Sequence, residues 1–122
     1  MDRRKFRRLI AEALDTLPVE IRIRMENVTV VVEEEPTNEQ IETAGLDPSQ
    51  DTVFGFYEGS PLTERSHDFG MVLPDRITLF YRPLIESFRC PSEIREEIRR
   101  TVVHEVAHFL GLDDEEIERL GY

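Results

Sequence analysis

The stretch Thr101-Val-Val-His-Glu-Val-Ala-His-Phe-Leu-Gly-Leu-Asp-Asp114 decides the fold, and the other segments are interpreted around it. It contains the pattern His-Glu-x-x-His at positions 104–108. On an α-helix, residues four apart project from one face, so His104 and His108 can offer two imidazoles to one ion. Glu105 points about 100° around from His104, which leaves its carboxylate free to act on a metal-bound water.

The residues around this pattern favour a helix with one buried side. Apolar side chains recur every three or four positions, as on an amphipathic helix. These residues are Ile94, Ile98, Val102, Val106 and Phe109, with Val103 and Leu110 widening the arc. Both histidines lie off this arc and are expected to face a cleft. We expect Ser92 to cap the helix start and Gly111 to end the helix in the left-handed conformation.

A candidate third ligand follows the helix. Gly111 lets the chain turn back, and Asp114 comes six residues after His108. Two imidazoles, a carboxylate and an open coordination position make up most of a zinc hydrolase site. The neighbouring carboxylates compete with Asp114 for the ligand role, and all four also suit the first turn of a C-terminal helix at 114–120. These competitors are Asp113, Glu115 and Glu116.

The spacing across residues 104–114, His-Glu-x-x-His-x-x-Gly-x-x-Asp, resembles the extended zincin signature. In this form an aspartate replaces the third histidine of the metzincins. The chain as a whole is similar to the bacterial zincin-like metallopeptidase family, a minimal zincin domain. The likeness also covers the stretches 53–65 and 73–81.

This resemblance implies a role for each residue of the pattern. His104, His108 and Asp114 would bind one zinc ion per chain, and Glu105 would be the general base. Metzincins continue to a methionine-containing turn beneath the metal. Here only residues 115–122 follow the aspartate, so we expect no such turn.

Length and composition predict one soluble domain spanning residues 1–122. The sequence has no apolar run near the ~20 residues that cross a bilayer, and no apolar signal core follows its basic N-terminus. Cys90 is the single cysteine, which excludes an internal disulfide and agrees with a reducing compartment. We therefore expect a cytoplasmic protein without a membrane partner. The net charge of −11 argues against nucleic acid as a partner.

The remaining segments predict an α+β (small α/β) domain, in which a mixed sheet of about three to four strands packs on helices. Helices are expected at 3–16 and 37–44 and one helical turn at 83–88, and strands at 28–32, 52–57 and 77–81. Residues 19–26 alternate as in a strand but also suit a short helix after Pro18, and the family resemblance favours the helix. Residues 63–73 are expected to form a loop.

In the zincin arrangement an edge strand lies beside the cleft and can pair with an extended peptide. Segment 52–58 or segment 76–82 would be that edge. His67 is a further candidate, as a transition-state donor or an alternative metal ligand, and three tyrosines are candidates as hydrogen-bond donors to a tetrahedral intermediate. Ordinary loop exposure or packing also accounts for them. The tyrosines are Tyr57, Tyr81 and Tyr122.

Three functions fit these observations. The leading hypothesis is a zinc-dependent peptidase that acts on a peptide or protein through a water activated by Glu105. The second is a zinc-binding, catalytically silent module that binds peptides or regulates a partner. The third is a deformylase or amidase that acts on a small molecule in a closed pocket.

Overall fold

The structure is a computed structural model that describes residues 1–59, 75–119 and 121–122. Within these residues the chain forms six α-helices and three strands, which confirms the predicted small α+β fold. The elements are α1 (Arg3–Asp15), α2 (Val19–Arg24), a 3-10 turn (Met25–Asn27), β1 (Val28–Glu33), α3 (Asn38–Thr43), β2 (Gly55–Glu58), β3 (Asp75–Phe80), α4 (Tyr81–Ser87), α5 (Pro91–Phe109) and α6 (Asp114–Arg119). The predicted loop at 63–73 and His67 lie outside the described residues.

The three strands form a mixed sheet in the order β1-β3-β2. Strand β1 pairs with β3 in parallel, and β2 pairs with β3 antiparallel, so that Val30 and Tyr57 both lie opposite Ile77. Since β3 is the central strand, segment 76–82 is not an edge. Among the described strands, β2 lies at an edge of the sheet, and it contacts α5.

Helix α5 is the element on which the core is assembled. Its buried side packs against α1 and the sheet, where Phe6 and Ile77 are fully buried. Each such apolar side chain contributes about 1.5–3 kcal/mol to folding. The buried residues of α5 are Ile94, Ile98, Val102, Val103, Val106 and Ala107. Phe109 and Leu110 were predicted on this side, but they are 49% and 41% exposed because the helix ends beyond the core.

Several predicted boundaries are confirmed. Residues 19–24 are helical, and Thr37 forms the predicted capping box with Gln40 at the start of α3. Gly111 adopts a left-handed conformation with φ of 92°, as expected where a helix ends. Among the described residues, no helix combines the length and apolar character that crossing a bilayer requires.

Other boundaries were wrong. Strand β2 begins at Gly55 and not at residue 52. The expected cap at Ser92 is also wrong, because Pro91 is already the first helical residue and Ser92 lies inside the first turn. Cys90 occupies the capping position, and its side chain makes no capping hydrogen bond. Proline at the first helical position is favoured without a cap, since its missing N–H would have no partner there.

Candidate metal centre

Helix α5 places the two histidines of the pattern on one face, as predicted. His104 is half-buried and His108 is 43% exposed. Their ring centroids are 6.2 Å apart, and the ring planes are nearly perpendicular, at 85°. The left-handed Gly111 then reverses the chain, so that α6 begins beside the end of α5. As a result, Oδ1 of Asp114 lies 2.7 Å from Nε2 of His108.

The other acidic residues of this segment have different partners. The carboxylate of Asp113 accepts a hydrogen bond of 2.8 Å from the Glu116 amide and so caps α6. The Glu116 carboxylate accepts from the Asp113 amide, and Glu115 pairs with Arg119 at 3.4 Å. The carboxylate of Asp114 therefore is the one that the turn brings to His108.

The residue types suit a zinc ion, although the side chains are not arranged around one. Among residues 1–59, 75–119 and 121–122, no three His, Cys, Asp or Glu side chains converge on a common point. The 2.7 Å contact between His108 and Asp114 is a direct hydrogen bond, whereas two ligands of a tetrahedral zinc lie about 3.3 Å apart. Both side chains are exposed, Asp114 at 79%, and are free to separate by this small amount. Two imidazoles and one carboxylate are a donor set that zinc accepts.

Glu105 is held by the backbone of the neighbouring strand. Its Oε1 accepts a hydrogen bond of 3.1 Å from the Tyr57 amide. Burial raises the pKa of the Glu105 carboxyl above its ordinary value, and the hydrogen bond from Tyr57 and the two imidazoles oppose this rise. A partly desolvated carboxylate binds a proton more strongly than an exposed one, which suits a general base.

Strand β2 runs along α5 in the same direction, and two residues of the strand correspond to four residues of the helix. An added Cβ at Gly55 would lie 2.6 Å from the Thr101 methyl group. Two residues later the Tyr57 amide bonds to Glu105, and the Tyr57 ring stacks on Phe109 with centroids 4.3 Å apart. We call Thr101, Glu105 and Phe109 the strand-facing row of the helix.

A second row lies beside the strand-facing row. It consists of Arg100, His104 and His108, again at intervals of four residues, and we call it the ligand row. Both rows contribute to an open cleft of about 250 Å³ beside residues 53–55, where β2 begins. The cleft is lined by Val53, Phe54, Gly55, Glu97, Arg100, Thr101, His104, Glu105 and His108.

The three candidate tyrosine hydroxyls bond to groups outside this cleft. The hydroxyl of Tyr57 donates to Asp75, that of Tyr81 to the Met1 carbonyl, and that of Tyr122 to Glu20. The sequence reasoning missed the backbone amide of Tyr57, which no side-chain pattern reveals. Arg100 also lines the cleft and was not singled out, although its spacing of four residues before His104 was visible in the sequence.

Gly55 determines how closely β2 approaches α5, which gives a testable prediction. In Gly55→Ala the new methyl group would collide with Thr101, so the free energy of unfolding is expected to fall by about 1–3 kcal/mol. Urea denaturation measures this change. Thr101→Ser removes the colliding methyl group and is expected to restore part of the loss in the double variant. Additive effects of the two substitutions would contradict the contact.

Comparison with known proteins is consistent with this geometry. A family model described as zincin-like metallopeptidase matches residues 25–122. The matched span runs from the 3-10 turn through α6 and includes both rows of α5, strand β2 and Asp114. A search of the curated proteins found no match.

Proposed function

The chain belongs to the zincin-like metallopeptidase family, and on this premise we propose that it is a zinc-dependent peptidase. In this proposal His104, His108 and Asp114 bind one zinc ion per chain, and Glu105 is the general base. The observation that carries the proposal is the bond between the Tyr57 amide and Glu105. It holds a partly desolvated carboxylate beside the ligand row and beside β2, the strand that we propose pairs with a peptide.

The bound zinc would supply Lewis acidity that makes a water molecule acidic near neutral pH. Glu105 would accept a proton from the attacking water through the carboxylate oxygen that does not bond to the Tyr57 amide. The same carboxylic acid then passes the proton to the leaving amine. The hydrogen bond from Tyr57 prevents the side chain from rotating away between these two proton transfers.

The edge of β2 offers the peptide a place to bind. Phe54 accepts a hydrogen bond from the Phe80 amide across the pair β2–β3, so alternate residues of β2 turn their amides and carbonyls outward. Tyr57 is one of these outward-facing residues, and its amide already bonds to Glu105. Gly55 is the other, and an extended peptide in the cleft would pair with its backbone.

A peptide library tests the peptidase proposal directly. We expect the zinc-loaded wild-type protein to cleave members of a library of proteome-derived peptides, with products identified by mass spectrometry. A strong chelator is expected to stop the cleavage, and restored zinc to recover it. Cleavage that continues after the metal has been removed would point to a contaminating protease and would count against the proposal.

The direct bond between His108 and Asp114 supports a second function, a zinc-binding module without peptidase activity. A carboxylate that is bonded to an imidazole is a weaker ligand for zinc. The site would then hold zinc and bind a peptide without hydrolysing it. This alternative predicts that the zinc-loaded protein binds library peptides but leaves all of them uncut. Cleavage by the wild type that is lost in Glu105→Gln excludes it.

A further inference from the structure

The ligand row of α5 begins one turn before the first histidine, at Arg100. Its spacing of four residues from His104 places it on the same face of the helix, and both side chains line the cleft. The Arg100 side chain is 66% exposed. A guanidinium group at this end of the cleft lies within reach of a peptide bound along β2.

Arg100 differs in charge from the other residues that line the cleft. Among the described residues that line it, Arg100 carries the one permanent positive charge, while Glu97 and Glu105 carry carboxylates. Glu97 is 16% exposed and lies 3.6 Å from Nη1 of Arg100, which is longer than a hydrogen bond. Guanidinium has five N–H donors in a planar fork, so this contact leaves enough of them to bind a second carboxylate in a bidentate manner.

The register of β2 fixes which part of a peptide would meet this guanidinium. Gly55 lies at Thr101 and Tyr57 lies at Glu105, so β2 and α5 run in the same direction. Antiparallel pairing is the more stable kind per residue, and a peptide paired in this way with β2 runs opposite to α5. Its C-terminal part then lies toward the early turns of the helix, where Arg100 is.

We propose that Arg100 is a specificity-determining residue that binds a carboxylate of the peptide on the C-terminal side of the scissile bond. The rise along the helix from Arg100 to His104 is about 6 Å, which matches about two residues of an extended peptide. The carboxylate is either an acidic side chain or the free C-terminus of the peptide. This inference rests on the proposed function, since it uses the same cleft.

The test measures binding in the Glu105→Gln variant loaded with zinc, so that no substrate is consumed. The probes are pools of fluorescent octapeptides, random except for one position fixed as Glu or Gln, with a free or an amidated C-terminus. Fluorescence anisotropy is expected to show about fivefold tighter binding of the preferred carboxylate-bearing pool. A difference between Glu and Gln pools identifies a side chain as the source, and a difference between free and amidated pools identifies the C-terminus.

Arg100→Ala is expected to remove this preference, and Arg100→Lys to restore part of it, because lysine keeps the charge but not the fork. Arg95→Ala is the matched control, since Arg95 is on the same helix but pairs with Glu12 of α1 at 3.2 Å. It is expected to keep the preference. Equal affinities for all pools, or a preference that survives Arg100→Ala, would overturn the assignment.

The direction of the peptide is tested by photo-crosslinking. A benzoylphenylalanine placed near the C-terminus of the preferred peptide is expected to label the segment 93–100 of α5, and one near the N-terminus to label residues after His108. The reverse pattern would overturn the proposed side of the scissile bond.

These measurements do not depend on turnover. A protein that binds carboxylates through Arg100 but never cleaves them refutes the peptidase alone, whereas cleavage without carboxylate preference refutes the role of Arg100 alone.

Discussion

Replacing Glu105 by Gln is expected to lower kcat/KM for peptide hydrolysis by about 10²- to 10⁴-fold. The amide has nearly the same shape as the carboxylate, and its oxygen still accepts the hydrogen bond from the Tyr57 amide. It does not accept a proton from water at neutral pH. The zinc content of the variant is expected to equal that of the wild type, because Glu105 is not among the proposed ligands. Kinetics on a cleaved library peptide and elemental mass spectrometry measure the two quantities.

Glu96→Gln is the matched control for this prediction. Glu96 is on the same helix, is 71% exposed and pairs only loosely with Arg99, at 3.8 Å. Its replacement makes the same chemical change outside the proposed mechanism and is expected to leave kcat/KM within about twofold of wild type. If Glu105→Gln cleaved as fast as the wild type, another group would have to be the base.

Removal of any one proposed ligand is expected to remove the zinc. Elemental mass spectrometry should find about one zinc per chain in the wild type and very little in His104→Ala, His108→Ala or Asp114→Ala, since a structural or catalytic zinc requires at least three protein ligands. Zinc should also stabilise the wild type against unfolding, by about 2.7 kcal/mol at a free concentration one hundred times Kd. The three variants should lose this zinc-dependent stabilisation.

The neighbouring aspartate separates loss of a ligand from loss of a helix cap. Asp113→Ala removes the carboxylate that accepts from the Glu116 amide and is expected to cost about 1 kcal/mol of stability while zinc is retained. Asp114→Ala should show the opposite pattern, with zinc lost and the cap intact. If Asp113→Ala lost the zinc and Asp114→Ala kept it, the third ligand would have been assigned to the wrong carboxylate. A wild type that takes up no zinc at all would refute the metal centre.

The helix and its pattern were predictable because both depend on local spacing. The period of three to four residues placed Ile98 and Val102 inside and the two histidines outside, and the structure has them there. The capping box at Thr37 and the left-handed Gly111 are also local signals. Such features are decided within a few residues of the chain, where one sequence contains all the information.

The parts of the structure that depend on contacts between distant segments were harder to predict from the sequence. Sequence left open whether β2 or β3 was the edge, because strand order is decided by pairing between segments far apart in the chain. The bond from the Tyr57 amide to Glu105 joins residues 48 positions apart and involves a backbone group that every residue carries. Phe109 fitted the apolar period and yet is half exposed, because periodicity does not show where the core ends.

The register between β2 and α5 also limits how long the two can stay matched. Two strand residues advance by about 6.7 Å, whereas four helical residues advance by about 6.0 Å, so each repeat adds about 0.7 Å of offset. The strand and the helix therefore stay in register over only a few residues. From Gly55 through Glu58 the strand and the helix are closely matched, and this is the whole length of β2. A one-residue insertion within β2 or within α5 would move the match away from Glu105, whereas an insertion in the loop before β2 would leave it in place.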